Sequence, residues 1–315
     1  MVRSSDVPLK AAPRTAWSRE KGRRIRTLRE NLAGYAFLLP ALVVYALFLL
    51  YPLFNVIRSG FYDINTISQQ STFVGLDNFV ELADDEVFRI SLVNTILYTV
   101  AIIVLINVPA VVFAIIVDRE RLRGNYALRV LFFIPAILAP ALIGAAFKRI
   151  FAPFGALNML LTAANVPQLK QNWLGDPTLA MAAIVLTTIW QSVGWNMVIY
   201  YARLRELSRD LYDSAAIDGA TDFGIIRYVK LPLLRETIAL MVVINIIGGF
   251  KVFDLVYIMT SGGPAHRTEV LTSFLYNQAF NFHRYGYASA VAVVMLALML
   301  VFAWIRLRSS LASSG

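Results

Sequence analysis

Cysteine is absent from this 315-residue sequence, so neither a disulfide nor a thiolate metal site is available to it. Charge is scarce: 16% of residues are Asp, Glu, Lys or Arg, against about 25% in an average soluble chain. The two histidines, His266 and His283, have no acidic or histidine partner at metal-ligand spacing and read as ordinary loop residues. No GxxxxGK(S/T) sequence occurs, so the chain lacks a phosphate-binding loop of its own. No Ser/His/Asp set or HExxH motif stands out either. The chain reads as a non-enzyme without a cofactor or metal, and any chemistry that powers it belongs to another chain.

Apolar residues make up 58% of the sequence, and the mean hydropathy is +0.63. They fall into six runs, at residues 32–54, 90–117, 128–147, 179–202, 238–259 and 286–305. Each is close to the roughly 20 residues that a helix needs to cross about 30 Å of hydrocarbon. The expected fold is all-α, a polytopic membrane protein with six transmembrane helices. A net charge of +9 can point to nucleic acid, but in a membrane protein the placement of charge decides, and no nucleic-acid partner is expected. Lys and Arg crowd the N-terminal tail, the second–third connection (Arg119, Arg121, Arg123, Arg129), the fourth–fifth connection and the C-terminal tail. By the positive-inside rule both termini and the fourth–fifth connection are cytoplasmic. The tail is too long and the first apolar run too extended for a cleaved signal, so the tail reads as disordered and drawn to anionic membrane lipids. The expected organisation is a basic tail at 1–31, the first span and outer loop at 32–89, a five-helix core at 90–305 containing the cytoplasmic loop 203–236, and a second tail at 306–315.

Residues 211–234, LYDSAAIDGATDFGIIRYVKLPLL, form the most hydrophilic stretch of that length between the spans. Ala215 with Gly219, and Ala216 with Gly219 and Ala220, share one helix face. Gly219 costs about 1 kcal/mol relative to Ala in a helix, so it marks either a turn that glycine takes easily or the close approach of a partner surface. A second short helix can follow from Asp222, with Pro232 starting the return into the bilayer. The spans on either side carry polar groups: Ser192, Trp195 and Asn196 in the fourth, and Asn245, Gly249, Lys251 and Asp254 in the fifth. Aromatic faces and amides suit a sugar, and they equally suit helix–helix contacts. Lys251 and Asp254, three residues apart, can pair on one helix face or serve as ion-coupled groups. The loop at 55–89, with its acidic patch Glu81, Asp84, Asp85 and Glu86, reads either as a solvated loop with one short helix or as a docking surface for an external partner.

Asp213-Ser214-Ala215-Ala216-Ile217-Asp218-Gly219-Ala220 followed by Leu231-Pro232 resembles the EAA loop of binding-protein-dependent ABC importer permeases. The stretches 73–79, Asn94-Thr95, 172–174 and 260–264 are similar to the sugar branch of that family, the maltose-, trehalose- and glycerol-phosphate-type permeases. Asp213 stands where the family has Glu, Ser214 where it has the first Ala, and Glu236 where a second proline is common. The resemblance implies the type I importer permease fold in a bacterial plasma (inner) membrane. It also implies a second homologous permease, two ATPase subunits carrying ATP and Mg, and an external solute-binding protein or lipoprotein. Asp213, Ser214, Ala215, Ala216, Asp218, Gly219, Ala220, Leu231 and Pro232 would couple to an ATPase subunit. The fourth and fifth spans would line the path of a sugar, a disaccharide such as trehalose or maltose first. The rival expectation is a self-sufficient secondary transporter built on Lys251, Asp254 and Asp218.

Overall fold

A computed structural model describes residues 35, 37–65, 67, 70–118 and 124–311. The basic tail 1–31 and the arginines at 119, 121 and 123 lie outside the described residues. The first helix, α1 (Phe37–Ser59), is 23 residues long with a mean hydropathy of 2.3; the chain divides into two units within it, at Asn55. From Val56 onward the second unit contains a hairpin, β1 (Tyr62–Asn65) and β2 (Gln70–Phe73), then α2 (Asp77–Asp84) and α3 (Glu86–Val117). Helices α4 (Asn125–Ile137), α5 (Pro140–Ile150), α6 (Ala156–Ala163), α7 (Ala180–Glu206) and α8 (Arg209–Ile217) follow. Last come α9 (Asp222–Phe250), α10 (Asp254–Met259), α11 (Leu271–Tyr276) and α12 (Tyr285–Leu311). Among the described residues five helices, α1, α3, α7, α9 and α12, are long and apolar enough to cross a membrane, and α4 with α5 makes a sixth if that bent pair counts as one span. The fold is therefore the expected all-α polytopic one.

Three local departures have physical causes. The third span is not one rod: α4 and α5 meet at 96°. Pro140 lacks an N–H and clashes with the preceding turn, and Leu138 and Ala139 are extended (ψ 141° and 133°). The Gln191 amide donates to the Leu138 carbonyl at 3.3 Å and so occupies one acceptor that the break frees. The fifth span ends early, at Phe250, after Gly248-Gly249; Lys251 caps it and Asp254 opens α10, so these two side chains do not share a helix face. At its other end the span starts early. Asp222 to Phe250 is one continuous helix, with a π-helical turn at Ile226–Lys230 just before Pro232. Such a widened turn accommodates a proline that offers no donor. The third departure is the small antiparallel hairpin, paired Tyr62 to Phe73 and Asn65 to Gln70. The buried Asn78 amide ties it down by donating to the carbonyls of Gly60 at 2.9 Å and Tyr62 at 3.0 Å. Gly286 lets the first turn of α12 lie directly against the Tyr62 carbonyl.

Helices α3 and α7 form the most extensive helix pair. Their apolar contact (Ile106, Ala110 and Ala114 with Ile184, Met197 and Leu204) is crossed by two hydrogen bonds. Tyr98 meets the Thr188 hydroxyl at 2.8 Å, and the Tyr200 hydroxyl donates to Asn107 Oδ1. A third polar bridge joins α7 to α9, where Asn245 Nδ2 donates to Asn196 Oδ1 at 3.2 Å. Two glycines permit close backbone approach, as small residues do between membrane helices. A Cβ on Gly194 would strike the Phe132 carbonyl of α4, and one on Gly249 would strike Thr99 of α3. On its other side α3 exposes Val93, Leu97, Val100, Val104 and Val108, a wholly apolar stripe suited to hydrocarbon.

Candidate functional site

The segment between α7 and the apolar part of α9 folds as helix, turn and helix. Leu207 leaves α7 in extended conformation. Helix α8 then ends in a Schellman turn: Ala220 N–H donates to the Ala215 carbonyl at 2.9 Å while Gly219 sits at φ +84°. Thr221 starts α9 by accepting the Gly224 N–H on its hydroxyl at 3.2 Å. Of the two roles open to Gly219, the turn is the one observed, and among the described residues nothing lies within 4 Å of where its Cβ would be. Around that turn Ile217 is 86%, Phe223 73% and Tyr228 77% exposed. Among the described residues, large apolar side chains thus surround a polar turn and stand exposed.

Ser214, Asp218, Gly219 and Ala220 are exposed on this segment and Ala215 is half-buried. Asp213 and Ala216 belong to α8, but their side chains lie outside the described set. Leu231 and Pro232 lie apart from the turn, just beyond the π-helical segment; Leu231 packs on the main core and Pro232 is exposed. Behind the loop Lys230 Nζ lies 2.6 Å from the Asp118 carboxylate at the end of α3. The sequence contains no local signal for this pair, because 112 positions separate the two residues.

The residues expected along a solute path divide into three groups. Trp195 is 48% exposed and stacks on Phe133 of α4, with ring centroids 6.1 Å apart; Ser192 beside it is half-buried. Asn196 and Asn245 are buried and hydrogen-bonded to one another, and Gly249 is buried against Thr99. Those three hold α7, α9 and α3 together. Lys251 and Asp254 are both exposed, at the break between α9 and α10, and no hydrogen bond or ion pair joins them. In the following loop His266 is not an unpartnered residue: its Nδ1 lies 3.3 Å from Glu269, whose side chain is nearly fully buried and also accepts from Ser273 at 2.6 Å. Among the described residues no group of three His, Cys, Asp or Glu could hold a metal.

A family model described as "Binding-protein-dependent transport system inner membrane component" matches residues 83–309. The chain belongs to that family. This permease is 35% identical over 282 residues to a probable ABC transporter permease protein, YurN, of Bacillus subtilis, a match covering 89% of this chain and 96% of that one. It is 29% identical to the lactose transport system permease LacF of Rhizobium radiobacter, over 88% and 93% of the two chains. The trehalose/maltose transport system permease MalF of Thermococcus litoralis is 28% identical, over 89% and 94%. In fold the permease matches a chain of a crystallised bacterial alginate ABC transporter in complex with an alginate pentasaccharide-bound periplasmic protein. The TM-score is 0.78 and the identity 21%, over 89% of this chain and 94% of that one.

Proposed function

We propose that this permease forms half of the translocation pore of an ATP-driven sugar importer and is driven through the loop centred on Gly219. A second homologous permease completes the pore. Two ATPase subunits, with ATP and Mg, sit beneath the pore, one of them taking this loop in a cleft from the cytoplasm, and an external binding protein or lipoprotein delivers the sugar. The assembly sits in the bacterial plasma membrane with both termini of the permease cytoplasmic. The observation that carries this reading is the uncovered apolar rim of the loop, Ile217, Phe223 and Tyr228, around a glycine turn with open space before it. A partner cleft would bury that rim. Burial of a side chain of this size contributes about 1.5–3 kcal/mol, and Asp213 and Asp218 bring negative charge to basic groups on the partner. The turn joins α9 directly, so a push on it acts on a helix that crosses the membrane.

Trp195 stacked on Phe133, with Ser192 beside it, supports a sugar as cargo, because an aromatic face packs on the apolar face of a pyranose. Lactose, trehalose and maltose in the names of relatives support a disaccharide, with trehalose or maltose the first choice. The test is a mild-detergent pull-down of the tagged permease from its own membranes, with Gly219→Trp and Ile217→Asp alongside, followed by uptake of labelled trehalose, maltose and lactose. We expect wild type to bring down a Walker-type ATPase and a second permease, and both variants to lose the ATPase or its coupling to uptake. A chain that comes down alone and moves solute in vesicles without ATP would overturn the proposal, as would uptake by Gly219→Trp equal to wild type.

A further inference from the structure

We propose that Asp118, Lys230 and Tyr212 form a latch that carries movement of the coupling loop into α3, which makes them positioning residues for transport; the inference rests on the coupling reading above. The main chain joins the loop to α7 at one end and to α9 at the other, while α3 has no nearby covalent link to it. Yet α3 is the helix packed along α7, and it also packs against α9. A loop movement reaches α3 at this end through side chains, and the latch supplies that contact.

Lys230 and Asp118 meet at 2.6 Å with side chains only 12% and 8% exposed. Separating two charges so far removed from water is expensive, so the pair is expected to stay closed while the segments bearing it move. The position of Asp118 argues the same way. It caps the C-terminus of α3, where the partial negative charge of the helix end disfavours a carboxylate, and Lys230 offsets both charges. Lys230 is the last residue of the π-helical turn, between the loop and the apolar part of α9. Tyr212, on α8, connects the pair to the coupling helix. Lys230 Nζ lies 5.0 Å from its ring centre, and its hydroxyl donates to the Leu204 carbonyl of α7 at 3.5 Å. Burial raises the pKa of the Tyr212 hydroxyl, and the charge of Asp118 raises it further. Four helices, α3, α7, α8 and α9, thus meet at three side chains.

The experiment uses the assembled transporter, purified with its partner subunits and reconstituted in vesicles. Wild type is compared with Asp118→Asn, Lys230→Met and the exchange Asp118→Lys with Lys230→Asp. Three quantities are read: ATPase subunits recovered with the permease, ATP hydrolysed, and uptake of a labelled trehalose, maltose and lactose mixture. The single variants are expected to retain the ATPase subunits while uptake per ATP falls by about tenfold or more, since each leaves a buried charge without its partner. The exchange is expected to recover much of the lost ratio. Single variants that assemble and keep the wild-type ratio overturn the latch. Where they fail to accumulate, Tyr212→Leu and Tyr212→Phe decide: Phe keeps the ring over Lys230 and loses only the hydroxyl bond to Leu204, so a ratio that falls further for Leu than for Phe supports the latch, and ratios equal to each other overturn it. Wild type that recovers no ATPase subunit refutes the coupling reading itself, whereas wild type that couples alongside equally coupled variants refutes only the latch.

Discussion

Alanine at three glycines should separate close packing from helix propensity within this one chain. At Gly194 the new methyl meets the main-chain carbonyl of Phe132, and a carbonyl fixed in a helix cannot rotate aside. Helix α4 must retreat from α7 by on the order of 1 Å to regain van der Waals distance. That retreat also strains the Phe133–Trp195 stack and the Gln191 bond to Leu138. Overpacking of this kind costs about 1–3 kcal/mol, and each kcal/mol is roughly a factor of five in the unfolding equilibrium. At Gly249 the methyl meets Thr99, whose γ atoms can turn although its Cβ cannot, so the loss should be smaller. At Gly248 no described residue lies within 4 Å and the backbone is ordinary helix, so alanine should gain up to about 1 kcal/mol. The assay is the fraction of permease still monodisperse in detergent after heating, measured on the separated subunit. The expected order of midpoints is Gly248→Ala at or above wild type, then Gly249→Ala, then Gly194→Ala. A Gly194→Ala protein as stable as Gly248→Ala would refute the reasoning.

Asn78→Ala removes one buried and one part-buried hydrogen bond and leaves the carbonyls of Gly60 and Tyr62 without them. A loss of about 1–3 kcal/mol is expected, read as a lower heating midpoint together with faster proteolysis within 60–76. Asp176 lies in the turn that leads into α7, and its carboxyl is held below the usual carboxylate range first by the Thr178 hydroxyl and then by the Thr178 N–H. A depressed folded value means that its contribution is complete above the unfolded pKa of about 3.9 and disappears as pH falls through the folded value. Asp176→Ala should therefore lower the midpoint slightly and equally at neutral and mildly acidic pH, with the difference from wild type closing only in strong acid. A difference that already closes near neutrality would contradict the assignment.

Much of this architecture is legible in the sequence because hydrocarbon imposes a simple rule: long apolar runs are spans. The Gly219 turn is legible for a local reason, as a glycine after a helical run of small residues is a common C-terminal device. What is not legible depends on distant partners. Pro140 announces a disturbance, but the 96° bend depends on what α4 and α5 pack against. The hairpin strands have four residues each, too short for alternation to identify, and they are held by Asn78 from the next helix. Asn196 and Asn245 read in sequence as amides that suit a sugar and a helix contact equally, and only the fold reveals that they hydrogen-bond to each other. Asp118 and Lys230 look like ordinary charges at span ends until the ends are brought together.

The polar bridges across α3, α7 and α9 bear on how the bundle can move. Individually, hydrogen bonds between membrane helices contribute modestly, about 0.6 kcal/mol on average. Spread along the helices, however, Tyr98 with Thr188, Asn107 with Tyr200 and Asn196 with Asn245 act like dowels between planks. To slide α3 lengthwise past α7, two must shear at once, sliding α9 past α7 breaks the third, and hydrocarbon offers no replacement partner. Tilting the three helices as one slab breaks none of them. The pinned helices are thus suited to swing as a single lever, with slippage left to the smooth valine-rich flank of α3.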